Sequence, residues 1–167
     1  MSSLSILSKK VILIGNFGVG KTSLTRRFVY QKFSDEYLTT LGVRIDKKEV
    51  SVGNESLHLI LWDIAGEVSQ EKVNKSYYLG AHAVIYVFDI SRPTTYMHLA
   101  EDIAYVHALL PKAPCFIVAN KYDLYDKEEL PDLPLPIDFV SSAKTGHNVE
   151  ELFQVLAQRL LAAPPQP

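Results

Sequence analysis

The chain has 167 residues, 47% of them hydrophobic and 22% charged, the composition of one globular domain with a sizeable core and not of a disordered chain. Its 17 basic and 19 acidic residues leave a net charge of −2, which gives no electrostatic reason to expect nucleic acid or an anionic membrane as the main partner. The single cysteine, Cys115, lies in an apolar run, so no disulfide can form within the chain and a reduced, cytoplasmic setting is expected.

No apolar stretch approaches the roughly 20 residues that cross a bilayer. The opening residues are too few and too polar for a secretory signal, and Ser2 excludes N-myristoylation. Residues 1–8 are expected to form a flexible N-terminus, 9–162 a single domain, and 163–167 a Pro-rich tail. Without a cysteine in that tail to prenylate, no intrinsic membrane anchor is expected.

The first predicted strand, Lys10–Gly15, runs straight into Gly15-Asn16-Phe17-Gly18-Val19-Gly20-Lys21-Thr22. Gly15, Gly20, Lys21 and Thr22 fill the G-x-x-x-x-G-K-[ST] phosphate-loop pattern at the end of a buried strand and the start of a helix, Lys21–Gln31. The glycines let the backbone curl, so that N–H groups from Phe17, Gly18, Val19, Gly20 and the first helical residues, Ser23 among them, converge on phosphate oxygens. Lys21 is expected to reach the β- and γ-phosphates, and the Thr22 hydroxyl to hold Mg²⁺.

Gly42–Val52 and Glu55–Ile64 are predicted strands joined by Gly53-Asn54, a dipeptide suited to a tight antiparallel hairpin. The second ends in Asp63-Ile64-Ala65-Gly66, where the carboxylate can hold Mg²⁺ through water and Gly66 offers an unobstructed N–H to a γ-phosphate. A helix is predicted over Ser69–Leu79, a strand over Ala83–Ile90, a helix over Thr94–Leu110 and a strand over Cys115–Asn120. Asn120-Lys121-Tyr122-Asp123 follows that strand. The Asp123 carboxylate can accept the ring N–H and the exocyclic amine of guanine, a pairing adenine cannot offer. Asn120 would tie this loop to the phosphate loop, and the Lys121 stem would pack on the base.

Pro131, Pro134 and Pro136 prevent a normal helix between Asp123 and the last predicted strand, Ile137–Ser141. The helix before that strand is therefore expected to be shortened or lost, leaving part of a sheet face bare for a partner or for self-association at 124–136. Ser142-Ala143-Lys144 comes next and places the Ala143 N–H near the guanine O6. The final helix, Val149–Leu161, is the clearest, with Val149, Leu152, Phe153, Leu156 and Leu160 on one face. Alternation of this kind predicts an α/β fold, a mostly parallel sheet with helices on both faces.

Taken in order, these motifs resemble the Ras-like small GTPases, most closely the Rab type. Thr40-Leu41-Gly42-Val43, Trp62-Asp63-Ile64-Ala65-Gly66 and Tyr77-Tyr78-Leu79-Gly80-Ala81-His82-Ala83 carry the Rab-like wording, and the likeness spans about Lys10 to Leu161. The resemblance implies a P-loop NTPase fold with a six-stranded sheet, a GTP/GDP cycle with Mg²⁺, and switch loops around Thr40 and Gly66–Tyr77 that meet effectors, exchange factors and activators. By position, Thr40 would join Thr22 and Asp63 at Mg²⁺, Phe33 would stack on guanine opposite Lys121, and Tyr37 would fold over the phosphates. Lys21, Gly66 and Glu67 would serve hydrolysis.

Two residues depart from the pattern. Glu67 stands where most relatives carry the glutamine that orients water, and Phe17 stands where they carry glycine or a small residue. The aromatic ring is expected to crowd the space an arginine finger would enter. Three readings follow: a slow GTPase switch, a GTP-binding scaffold with little hydrolysis because of Phe17 and Glu67, and a P-loop kinase or ATPase, against which Asp123 and the lack of an Arg-rich lid both argue.

Overall fold

The computed structural model describes residues 6–36 and 39–162. Tyr37, residues 1–5 of the N-terminus expected to be flexible over 1–8, and the Pro-rich tail over 163–167 lie outside the described residues.

The chain runs β1 (Leu7–Gly15), α1 (Lys21–Tyr30), β2 (Val43–Val52), β3 (Glu55–Ile64), β4 (Ala83–Asp89), α2 (Leu99–Leu109), β5 (Cys115–Asn120), β6 (Phe139–Val140) and α3 (Val149–Ala162). The strands form one sheet in the order β2-β3-β1-β4-β5-β6. Only β2 is antiparallel, paired with β3 through the two-residue Gly53-Asn54 turn, where Gly53 takes a φ of 60°. The other pairs are parallel, so the loops after β1, β3, β4, β5 and β6 all open at one edge of the sheet.

The strand patterns explain both faces. In β1, Val11 and Leu13 face one core, while Ile12 and Ile14 face the other. In β4 all seven residues are buried, as expected of a central parallel strand. The first core packs α1 and α3 against the sheet, with Phe28 stacked on Phe153 at a centroid distance of 4.0 Å and an interplanar angle of 7°. The second core lies under α2.

Several expectations need correction. The predicted helix over Ser69–Leu79 is absent: two 3₁₀ turns, Gln70–Lys72 and Lys75–Tyr77, stand in its place. Val73 is extended (ψ 136°), and the Asn74 side chain accepts the Ser76 N–H at 3.0 Å, starting a fresh turn. The helix expected from Thr94 begins only at Leu99, after a 3₁₀ turn over Pro93–Thr95. Thr95 Oγ1 takes the Asp89 N–H at 3.0 Å and faces the Arg92 carbonyl at 2.8 Å, fastening that turn to the end of β4. β1 starts at Leu7, inside the stretch expected to be flexible, where Leu7 and Ser8 pair with Leu57 and His58. β6 is shorter than the predicted Ile137–Ser141.

No helix separates β5 from β6, apart from a 3₁₀ turn over Tyr122–Leu124. The face expected to be bare is nevertheless covered. Tyr125, Leu133, Leu135 and Ile137 from the Pro-rich segment pack against the second core. Among the described residues, no helix is long and apolar enough to cross a membrane.

Candidate functional site

The turn after β1 wraps the start of α1. Gly20 caps the helix at φ 102°, and a Cβ there would lie 2.2 Å from the Asn120 Nδ2, so only glycine fits. With no side chain capping them, the first N–H groups of α1 face the cleft. Lys21 is 6% exposed, and its ammonium donates to the Gly15 and Asn16 carbonyls at 3.1 and 2.9 Å. Burial pushes its pKa down from 10.5 to about 8, against the attraction of Asp63.

The end of β3 brings Asp63 to the same spot. Its Oδ2 accepts the Thr22 hydroxyl at 2.5 Å, and the Thr22 and Thr40 hydroxyls lie 2.8 Å apart. Burial pushes the Asp63 carboxyl up, opposed by the Thr22 hydrogen bond and the charges of Lys21 and Arg44. Among the described residues its Oδ1 is buried with no hydrogen-bond partner. Here an ammonium and a carboxylate are both driven toward neutrality by burial, so desolvation outweighs their mutual attraction. A polyanion beside Lys21 and a divalent cation beside Asp63 would reverse both shifts. Two hydroxyls and one carboxylate with an unused oxygen suit Mg²⁺, which takes few protein oxygens and relies on phosphate and water for the rest. Among the described residues no cluster of three or more His, Cys, Asp or Glu could hold a metal alone.

The next part of the β3 loop docks on the phosphate loop. Gly66 lies so close that a Cβ would stand 2.7 Å from the Phe17 Cα, and the Glu67 N–H donates to the Gly15 carbonyl at 3.2 Å. Phe17 itself is 46% exposed at the rim.

The loops after β5 and β6 form the other end. Asn120 is buried, donates through Nδ2 to the Val19 carbonyl at 2.9 Å and accepts from the Ser141 hydroxyl and the Ala143 N–H at 3.1 and 3.3 Å. Asp123 Oδ1 accepts the Ser142 hydroxyl at 2.7 Å. One cleft of about 230 Å³ joins both ends. Its lining includes Phe17 to Ser23, Phe33, Thr40, Gly66, Asn120, Lys121, Asp123, Ala143 and Lys144. Gly15, Asp63, Glu67 and Ser142 do not line it. Gly15, Asp63 and Ser142 brace residues that do, and Glu67 is tied to the site through its backbone, by its N–H to the Gly15 carbonyl.

Sequence reasoning missed five side chains. Arg27 on α1 donates through Nε to the Ala143 carbonyl at 2.7 Å and through Nη2 to the Lys144 carbonyl, bracing the loop after β6. Asp89, at the end of β4, is buried and binds Arg92 at 2.8 Å and Lys121 at 3.5 Å. Arg92 in turn donates to the Phe17 carbonyl at 3.0 Å. Arg26 and Lys32 add positive charge to the lining, which suits a polyanion. Only the apolar run ending in Asp89 carried a local signal, a carboxylate at the carboxyl end of a parallel strand.

A family model described as the Ras family matches residues 10–162. The chain is 35% identical to Rab-like protein 2A of Homo sapiens over 149 residues, covering 86% of this chain and 65% of that protein. It is 36% identical to Ras-related protein Rab-33A of Mus musculus over 170 residues, covering 92% and 70%. It is 35% identical to Ras-related protein SEC4 of Saccharomyces cerevisiae (strain ATCC 204508 / S288c) over 158 residues, covering 89% and 73%. The chain thus spans about two thirds of the length of the curated relatives it matches.

Proposed function

Since the chain belongs to the Ras family, with Rab-type proteins among its relatives, we propose that it is a guanine-nucleotide switch that binds GTP and GDP with Mg²⁺ and hydrolyses GTP slowly. The convergence of Thr22, Thr40 and Asp63 within hydrogen-bond reach, beside a desolvated Lys21, carries this reading. Thr22 and Thr40 would hold Mg²⁺ directly and Asp63 through water. Held by these residues, Mg²⁺ would supply positive charge to offset that of the phosphates.

The protein's own part is positioning and electrostatics. Lys21 exchanges two backbone carbonyls for phosphate oxygens, and the N–H groups from Phe17 to Ser23 bind the remaining phosphate charge. Gly66 presents its N–H at the γ-phosphate end, close against the phosphate loop. At the base end Asp123 selects guanine, Asn120 and Arg27 hold the two base loops in register, Phe33 and Lys121 cover the ring faces, and the Ala143 N–H is offered to O6. Thr40 and the segment after Gly66 then report the γ-phosphate to effector, exchange-factor and activator proteins.

Glu67 is the group next to Gly66 that can accept a proton from water. Its place outside the cleft lining supports a second reading, a GTP-binding scaffold with little turnover. Single-turnover hydrolysis of Mg²⁺-loaded GTP in wild type, Glu67→Ala and Glu67→Gln decides between them. Cleavage that falls in Glu67→Ala supports the switch, and GTP intact over hours supports the scaffold. Failure to prefer guanine over adenine nucleotides would end both.

A further inference from the structure

The segment that carries Glu67 is fastened from below. Gln70 is 1% exposed, although it stands in a polar stretch of sequence. Its N–H donates to Asp102 Oδ1 at 3.0 Å, its carbonyl accepts the Tyr78 hydroxyl at 3.2 Å, and its Nε2 reaches back to the Glu67 carbonyl at 3.3 Å. Asp102, on α2, is 5% exposed, and its Oδ2 accepts the Tyr86 hydroxyl at 2.8 Å. Tyr86 belongs to β4, so hydrogen bonds run from the middle of the sheet through α2 to the backbone beside Glu67.

A buried carboxylate is a costly way to pack a helix against a loop, and this one commits both oxygens to the connection. The network is also not fully satisfied. Gln70 Oε1 and the Tyr105 hydroxyl are buried without hydrogen-bond partners among the described residues. Unpaired buried groups next to a bonded chain are the condition in which a second arrangement competes with the first. Glu67, meanwhile, is held at both of its backbone ends, by Gly15 and by Gln70, and its side chain stays out of the cleft lining.

We propose that Asp102, with Tyr86 and Gln70, is a positioning latch that fixes the Glu67–Lys72 segment and keeps the Glu67 carboxylate away from the bound nucleotide, slowing hydrolysis until the latch opens. The proposal rests on reading the cleft as a GTPase site. Whatever draws Gln70 off Asp102 then accelerates turnover without touching the nucleotide.

The test uses the whole chain. Asp102→Ala removes both acceptors. Asp102→Asn keeps an oxygen for the Gln70 N–H and can donate to the Tyr86 oxygen. Tyr86→Phe loosens Asp102 without altering Gln70 and carries the comparison if Asp102→Ala does not fold. Two quantities are read: amide hydrogen exchange over residues 67–73 in the GDP-loaded protein, and single-turnover hydrolysis of Mg²⁺-loaded GTP. Asp102→Ala should raise exchange by about tenfold or more and hydrolysis by about threefold or more. Tyr86→Phe should shift both the same way by less, Asp102→Asn should stay within about twofold of wild type, and adding Glu67→Ala to Asp102→Ala should remove the gain. Unchanged exchange in Asp102→Ala overturns the latch whatever the cleft does. Raised exchange with unchanged or lower hydrolysis, or a gain that survives Glu67→Ala, overturns the link to Glu67. If wild type binds no guanine nucleotide, exchange is compared in the nucleotide-free proteins, and a rise in Asp102→Ala there defeats the GTPase reading while leaving the fastening of residues 67–73 by Asp102 standing.

Discussion

Replacing Lys21 with methionine should separate the cost of a buried charge from its use. A pKa lowered from 10.5 to about 8 means that folding disfavours the charged form by about 3 kcal/mol, at roughly 1.4 kcal/mol per pH unit. Below pH 8 both folded and unfolded chains carry the proton, so nucleotide-free protein bears the full penalty. Between pH 8 and 10.5 the unfolded chain holds the proton while the folded chain releases it, so stability rises with pH across that window. Lys21→Met has no such group, and the other lysines titrate alike in both proteins. Urea unfolding of nucleotide-stripped wild type and Lys21→Met, repeated from pH 7 to 10.5, isolates the effect. Wild type should gain on the variant by about 3 kcal/mol across the series. At pH 7 the variant should be the more stable by about 1–2 kcal/mol, after losing the hydrogen bonds to Gly15 and Asn16. Isothermal titration calorimetry should show that it no longer binds GDP tightly. Parallel stability curves would refute the argument, because Lys21 would then be as well solvated in the fold as in water.

Asn120→Ala leaves the Val19 carbonyl, the Ser141 hydroxyl and the Ala143 N–H without partners, and should cost about 2–4 kcal/mol in thermal or urea unfolding. Release of a fluorescent GDP analogue from it should speed up by roughly tenfold or more, as a loss above about 1.4 kcal/mol in the bound state requires. Gly66→Ala would press a methyl group onto the Phe17 backbone at 2.7 Å, so it should weaken binding of a non-hydrolysable GTP analogue more than that of GDP and destabilise the fold by about 1–3 kcal/mol. Phe153→Ala empties one side of the 4.0 Å stack on Phe28 and should cost about 3–5 kcal/mol in unfolding while leaving guanine selectivity intact.

Cys115–Asn120 was legible to the residue because burial on both faces writes a continuous apolar run into the sequence, and Glu55–Ile64 because Leu57, Leu59 and Leu61 alternate with half-buried residues after the Gly53-Asn54 turn. The phosphate loop was legible because Gly15 and Gly20 need their conformations locally. The stretch Ser69–Leu79 was misread for the opposite reason. Gln70 is buried only because Asp102 and Tyr78 meet its backbone, and no local pattern announces a partner on another helix. Arg27 escaped notice in the same way, since its acceptors lie more than a hundred residues along the chain, at Ala143 and Lys144. Glu67 stood out in the sequence as a departure from the family pattern, but how its backbone is held, by Gly15 and by Gln70, depends on how the following turn is anchored, which is a tertiary property.

The sheet order has a consequence for synthesis. β1 sits third in the sheet and pairs with β3 and β4, so its edges stay open until residues well past 80 have left the ribosome. The guanine end needs Ala143 and is braced by Arg27 from near the other end of the chain. A growing chain therefore has no complete cleft until residues past Ala143 have emerged, and the phosphate loop spends that interval without its base-end partners. On the proposed function, a guanine nucleotide captured once the last loop closes would add its binding free energy to the fold, making the ligand a late component of folding.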